Sequence, residues 1–157
     1  MPEARTVTIE GVQLLFPNFS GKETQYNDAG NRNFNIILTP EMADDLSQRG
    51  FNVKERPGRE EGDPSQFTLQ IKVNFQNRPP RIVMITSSGR TNLNEHSVEV
   101  LDWADIQYAD LIISPYHWEG FGGKSGVTAY LQSLYATIEE DDLERKYAHI
   151  DSAEDEI

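Results

Sequence analysis

Cysteine is absent from the 157-residue chain, which removes disulfide bridges, thiolate metal sites and cysteine nucleophiles together, so stability has to come from packing. No apolar run approaches the length of a membrane span, and the N-terminal stretch "MPEARTVTIEGVQLLF" carries acidic residues where a secretory signal would be basic; a cytoplasmic protein is expected. Histidine is scarce too: His96, His117 and His149 stand far apart, without the paired spacing of a metal site, and no metal or other cofactor is expected. Bases are few, 14 against 26 acids, and the net charge of −12 argues at first against a nucleic-acid partner.

The layout of charge changes that argument. From Ile138 to Ile157 nine acidic residues face only Arg145 and Lys146, a net of −7. Between Arg49 and Arg90 eight bases face four acids, a net of +4. The chain is polarised, with a basic middle and an acidic end. Its length suits one domain, and the division expected is a folded domain over residues 1–138 and an acidic, flexible tail over 139–157.

Strand signals dominate. "RTVTIEGVQLLFP" reads as a first strand, "NFNIILT" as a second, and "FTLQIKVNF" alternates without error, Phe67, Leu69, Ile71, Val73 and Phe75 on one side, polar residues and Lys72 on the other. Thr39 and Pro40 open a helix that Gly50 ends, with Met42, Ala43 and Leu46 as its apolar stripe. "NVKERPGREEGDPSQ", past its first residues, reads as an exposed loop. "IVMITS" is a buried strand, "NLNEHSVEVLDWADI" a short helix with Asn94 as cap and Val98, Leu101 and Trp103 inward, and the last two strands flank the hairpin turn "FGGKSG". The short connections exclude a doubly wound parallel sheet. The order predicts a mainly β protein, an OB-fold-like antiparallel barrel with one or two inserted short helices, against the alternatives of a β-sandwich or an α+β open sheet.

Catalytic patterns are weak. "GFGGKSG" lacks the glycine five positions before Gly123 that a phosphate-binding loop needs, since Trp118 stands there, and a strand follows it in place of a helix. Asp102, Asp105 and Asp110 could in principle furnish a metal-dependent nuclease, but acids on helix ends and solvated faces are the commoner case. A non-enzymatic protein is expected.

Bases interleaved with aromatics are what remains. Lys22, Lys72, Arg78, Arg81, Arg90 and Lys124, with Tyr116, Trp118, Phe121 and Tyr130, compose a candidate lining for unpaired nucleic acid, which offers a charged backbone and exposed base faces. Each aromatic taken singly is more often a packing residue, and the face shared by Tyr116 and Trp118 could point either way. The acidic end has a place in this reading: a tail copying the charge of a nucleic-acid backbone competes for the basic groove. Asp151, Glu154, Asp155, Glu156 and Ile157 then offer a partner protein an acidic segment closed by an apolar residue.

Across Ile9 to Tyr147, and most in "RNF", "RPPRI" and "PYHWEGFGGKSG", the chain resembles the bacteriophage single-stranded DNA-binding proteins. The resemblance implies an OB-fold and sequence-independent binding of single-stranded DNA in replication, recombination and repair. It also implies an acidic C-terminus that recruits replication or recombination proteins, and it attaches most directly to Arg32, Phe34, Arg78, Arg81, Tyr116, Trp118 and Lys124. Tails of that class usually end in an aromatic residue, whereas this one ends in Glu156-Ile157. The competing expectation, motivated by the −12 charge, is a phage-encoded inhibitor or adaptor whose acidic surface mimics nucleic acid toward another protein.

Overall fold

The computed structural model describes residues 6–25, 27–76 and 78–139. Among these described residues nine strands and one α-helix follow in the order β1 (Val7–Val12), β2 (Leu14–Asn18), β3 (Arg32–Leu38), α1 (Pro40–Gln48), β4 (Lys54–Arg56), β5 (Gln66–Val73), β6 (Arg81–Thr86), β7 (Gly89–Leu93), β8 (Ile106–Glu119) and β9 (Ser125–Ile138).

The first expected strand is two. Gly11 takes φ 67°, its N–H donates to Asp110 Oδ1 at 2.8 Å, and the register with β8 shifts between Ile9 and Val12. Such a bulge bends a strand, and a glycine adopts positive φ without a Cβ clash. The bend lets one stretch of chain serve both edges: β1 pairs with β8 (Ile9 opposite Leu111) and β2 with β3 (Leu14 opposite Ile36). Pairing runs β1–β8–β9–β5–β3–β2, and Gln13 joins the two ends, so the path returns to the chain it left. Five ribbons, with β5 and β9 parallel and the other neighbours on this path antiparallel, make the OB-type barrel expected from the strand order.

Phe34, Ile36, Leu38, Leu69, Ile71, Leu111, Ile113 and Leu134 fill the interior, because alternation sends every second side chain of each strand inward. Helix α1 begins as the sequence dictates: Thr39 Oγ1 accepts from Met42 N–H at 3.2 Å, and Ala43 and Leu46 are buried. The second expected helix is a short 3-10 turn, Val98–Asp102. Asn94 Oδ1 accepts from the His96 and Ser97 N–H groups ahead of it. Its three-residue repeat stacks Val98 over Leu101, both buried, and turns Trp103 outward to 70% exposure, contrary to the inward position expected. The Asp102 carboxylate accepts from Phe19 and Ser20 N–H at 2.6 and 3.1 Å and ties this turn to the loop after β2.

Strands β4 and β7 are the other corrections. β4 lies inside the segment expected to be loop, and its "KER" has no apolar alternation to announce it; backbone pairing with β5 defines it. Strand β7 is polar and mostly exposed, and it completes a hairpin with β6 that pairs in parallel with the later half of β9.

Candidate nucleic-acid interface

Alternation on β5 buries Leu69, Ile71 and Val73 and turns Gln70 and Lys72 to the outer side, with Asn74 following them just past the strand end. Register carries this face across the barrel. Lys72 is paired with Asn33 on β3 and with Tyr130 on β9. Tyr130 is opposite Ser114 on β8, and Tyr116, two residues on, shares its side. The Tyr116 and Tyr130 rings meet edge to face, centroids 6.1 Å apart and planes at 87°, and Tyr116 keeps 57% of its surface exposed.

Trp118 lies opposite Gly126. A Cβ at that glycine would stand 2.8 Å from Trp118 Cζ2, so the missing side chain is what lets the indole rest across the neighbouring strand, 40% exposed. Beyond it the β8–β9 ribbon turns through Phe121–Gly123, closed by Gly120 N–H donating to Lys124 O at 2.7 Å.

Three concavities lie on this face. One of about 760 Å³ is lined by Arg32, Asn33, Gln70, Lys72, Asn74 and Tyr130 among others. A second, about 630 Å³, is bounded by Asn74, Arg78, Ser114, Tyr116 and Tyr130. The third, about 510 Å³, is bounded by Lys54, Gln70, Lys72 and Trp118. Shared walls at Lys72, Gln70, Asn74 and Tyr130 join them into one trough. Among the described residues Arg49 is the one arginine or lysine in an ion pair, with Asp45 at 3.2 Å, and Lys54, Lys72 and Arg78 form none there, although Asp28 and Glu95 also line the first concavity.

Of the residues expected to bind, Lys72, Arg78, Tyr116, Trp118 and Tyr130 are therefore brought together. Arg32 reaches the trough, but its guanidinium is engaged: Nη1 donates to Phe19 O and Glu95 O, each at 3.0 Å, and the group lies 4.9 Å from the Phe75 ring centroid. Lys22 is exposed but holds its Nζ 4.2 Å from the Trp103 ring. Phe34 is a correction. Its position on β3 is an inward one, and its ring is fully buried against Phe19 at 5.1 Å, so it presents no face to a ligand. Phe121, fully exposed, and Lys124 occupy the ribbon tip. Arg81 and Arg90 are exposed on β6 and β7 and line none of the three concavities. The tail candidates Asp151, Glu154, Asp155, Glu156 and Ile157 lie outside the described residues.

Sequence reasoning missed Lys54 and Arg56. They pair with Thr68 and Gln66 and so share the trough's side of the sheet, while Glu55 opposite Phe67 faces the other side, beneath α1. The signal was a charge alternation of period two, hidden in a segment without apolar residues. Among the described residues no group of three or more histidines or carboxylates is placed to hold a metal, and Asp102 and Asp110 accept backbone hydrogen bonds. No helix among them is long and apolar enough to cross a membrane.

A family model described as a phage ssDNA-binding domain matches residues 3–157. Among solved structures, the single-stranded DNA-binding protein of bacteriophage Enc34 in complex with ssDNA superposes with a TM-score of 0.58 at 8% identity, covering 87% of this chain and 88% of that one. A C-terminal truncation of the same Enc34 protein gives 0.55 at 9% identity, covering 87% of each chain. The gp2.5 single-stranded DNA-binding protein of bacteriophage T7 gives 0.47 at 12% identity over 88% of each. No curated protein matches the chain.

Proposed function

The chain belongs to the phage ssDNA-binding domain family, and from that membership we propose that it binds single-stranded DNA without reading sequence, along the trough over β5, β9 and β8. The observation that carries the reading is Lys72 set beside the Tyr116–Tyr130 pair in a continuous trough. Cations there neutralise phosphates, and ring faces accept any base, because every base has a π-face to stack. Base-specific hydrogen bonding is not needed. The role is that of a binding protein that covers single strands during phage replication, recombination and repair, not of a nuclease.

The charge of −12 by itself favours an acidic mimic acting on another protein. Against that stands the clustering of Lys54, Arg56, Lys72 and Arg78 on one side of the sheet or at its rim. Fluorescence anisotropy of the full chain, with single-stranded and duplex oligonucleotides side by side at rising salt, tests the choice. The expected result is a preference for single strands, with log affinity falling against log salt by about 0.7 for each phosphate neutralised. Equal affinity for duplex, or no binding at low salt, sinks the reading.

The acidic segment after Ile138 adds a regulatory part to the proposal: it visits the trough in place of DNA, and bound DNA releases it to replication or recombination proteins. Removing residues 139–157 is expected to tighten binding several-fold at low ionic strength, and less as salt screens the contact over a Debye length of about 10 Å at 0.1 M. Unchanged affinity at low salt would refute competition by the tail.

A further inference from the structure

Phe16 is the one non-glycine residue among those described that adopts a positive φ, 51°. It stands where the register of β2 with β3 shifts between Leu15 and Asn18, a bulge whose left-handed backbone aromatic side chains seldom adopt. Burial does not require it: the ring is 61% exposed. The bulged residue has a cationic neighbour. The Arg56 guanidinium lies 5.1 Å from the Phe16 ring centroid.

Register shows where this pair stands. Arg56 is opposite Gln66, and Gln66, Thr68, Gln70 and Lys72 share the trough's side of β5. Thr68 is buried although it points outward, and its neighbours across the sheet are Ile37 and Lys54. Arg56 starts from the end of β5 remote from Asn74, whereas Phe16 stands on β2 between Leu15, opposite Asn35, and Asn18, opposite Asn33, so the guanidinium reaches the ring from across β5 and β3.

We propose that Phe16 and Arg56 form a second nucleobase platform, extending the DNA track from the Lys54–Lys72 side of β5 across β3 toward β2. One face of the ring is backed by the guanidinium, and the exposed surface takes a base, while Arg56 and Lys54 meet the adjoining phosphates. The proposal rests on the reading that the trough binds single-stranded DNA.

Its test uses the full-length chain with F16Y, F16L and R56Q, and two probes: an oligothymidylate of about twenty nucleotides, longer than one barrel occupies, and the same backbone with abasic sites. F16L keeps an apolar cover of similar bulk but has no ring. The expected result is a loss of about 5- to 150-fold for F16L on oligothymidylate, as one lost stack implies, no loss on the abasic strand, and near-native binding by F16Y. R56Q weakens both probes and lowers the salt slope by about 0.7. If F16L unfolds, the R56Q slope decides alone. Phe16 and Arg56 variants that bind as the parent does, beside a K72E variant that is impaired, overturn the platform and leave the trough standing. A parent chain that binds neither probe overturns the trough itself.

Discussion

Replacing Tyr116 and Tyr130 together by alanine weakens single-stranded DNA binding by about 10²- to 10³-fold, the effect of losing two stacked bases at ~1.4–2 kcal/mol each, within the usual range for a stack. Both rings stand on the trough side of the β8–β9 pair, and each shapes the other through the edge-to-face contact at 6.1 Å. Aromatic pairs of this geometry contribute ~0.5–1.5 kcal/mol beyond their buried area. The two single substitutions are therefore expected to be non-additive: losing either ring unseats the other, so each alone already costs part of the partner's stack. Anisotropy titrations of the four proteins give the cycle directly. Thermal melting separates the causes, because Tyr116 is largely exposed and its removal should leave the fold nearly as stable as before. A double variant within two-fold of the parent would place the DNA elsewhere on the barrel.

Phe34→Ala destabilises the protein by about 3–5 kcal/mol, the usual cost of emptying a buried aromatic site. The ring stacks on Phe19 at 5.1 Å and 26°, on a strand held between β2 and β5, and neither neighbour can move into the space without breaking backbone pairing. Urea unfolding followed by circular dichroism reads the loss as a lower midpoint with an unchanged slope. Phe34→Leu, which leaves a smaller void, is expected to lower stability less and, in the folded protein, to bind DNA as the parent does. Weakened binding by folded Phe34→Leu, with stability intact, would return Phe34 to the interface from which its burial removes it.

The contrast between Phe34 and Tyr130 shows how far residue type carries a site assignment. Both are aromatic residues in strands; the family resemblance nominates Phe34, and the interleaving of bases and aromatics nominates Tyr130. Alternation states that Phe34 travels with Ile36 and Leu38, all three of them core-forming types, and that signal outweighs the adjacent Arg32. For Tyr130 the same alternation is ambiguous. A bulge at Gln132–Ser133 shifts the parity of β9, and only its pairing with Lys72 and Ser114 shows that the ring faces out.

Arg32 misleads for another reason. Its charge suggests a phosphate, but the guanidinium has more donors than one contact uses, and the fold employs them on the carbonyls of Phe19 and Glu95. Lys54 and Arg56 escaped notice because β4 is a strand by pairing alone. Three charged residues carry no hydrophobic period, and their charge alternation groups Lys54 with Arg56 without marking the segment as a strand or saying which side meets the trough.

By itself the sequence determined what depends on neighbours along the chain: the alternation of β5, the Thr39 cap and Pro40 start of α1, the glycine turn after Phe121, the order of strands that selects a barrel, and the polarised charge. Those signals are local because a strand's two faces, a helix's first turn and a hairpin's tip each form within a few residues. The tertiary structure alone decided that the first strand bends at Gly11 to serve both edges of the barrel, that β4 aligns Lys54 and Arg56 with Lys72, and that Tyr116, Trp118 and Tyr130 line a trough while Phe34 does not. Alternation fixes which side chains share a face, but which face meets the core is set by pairing between strands far apart in the chain, a property that no short segment contains.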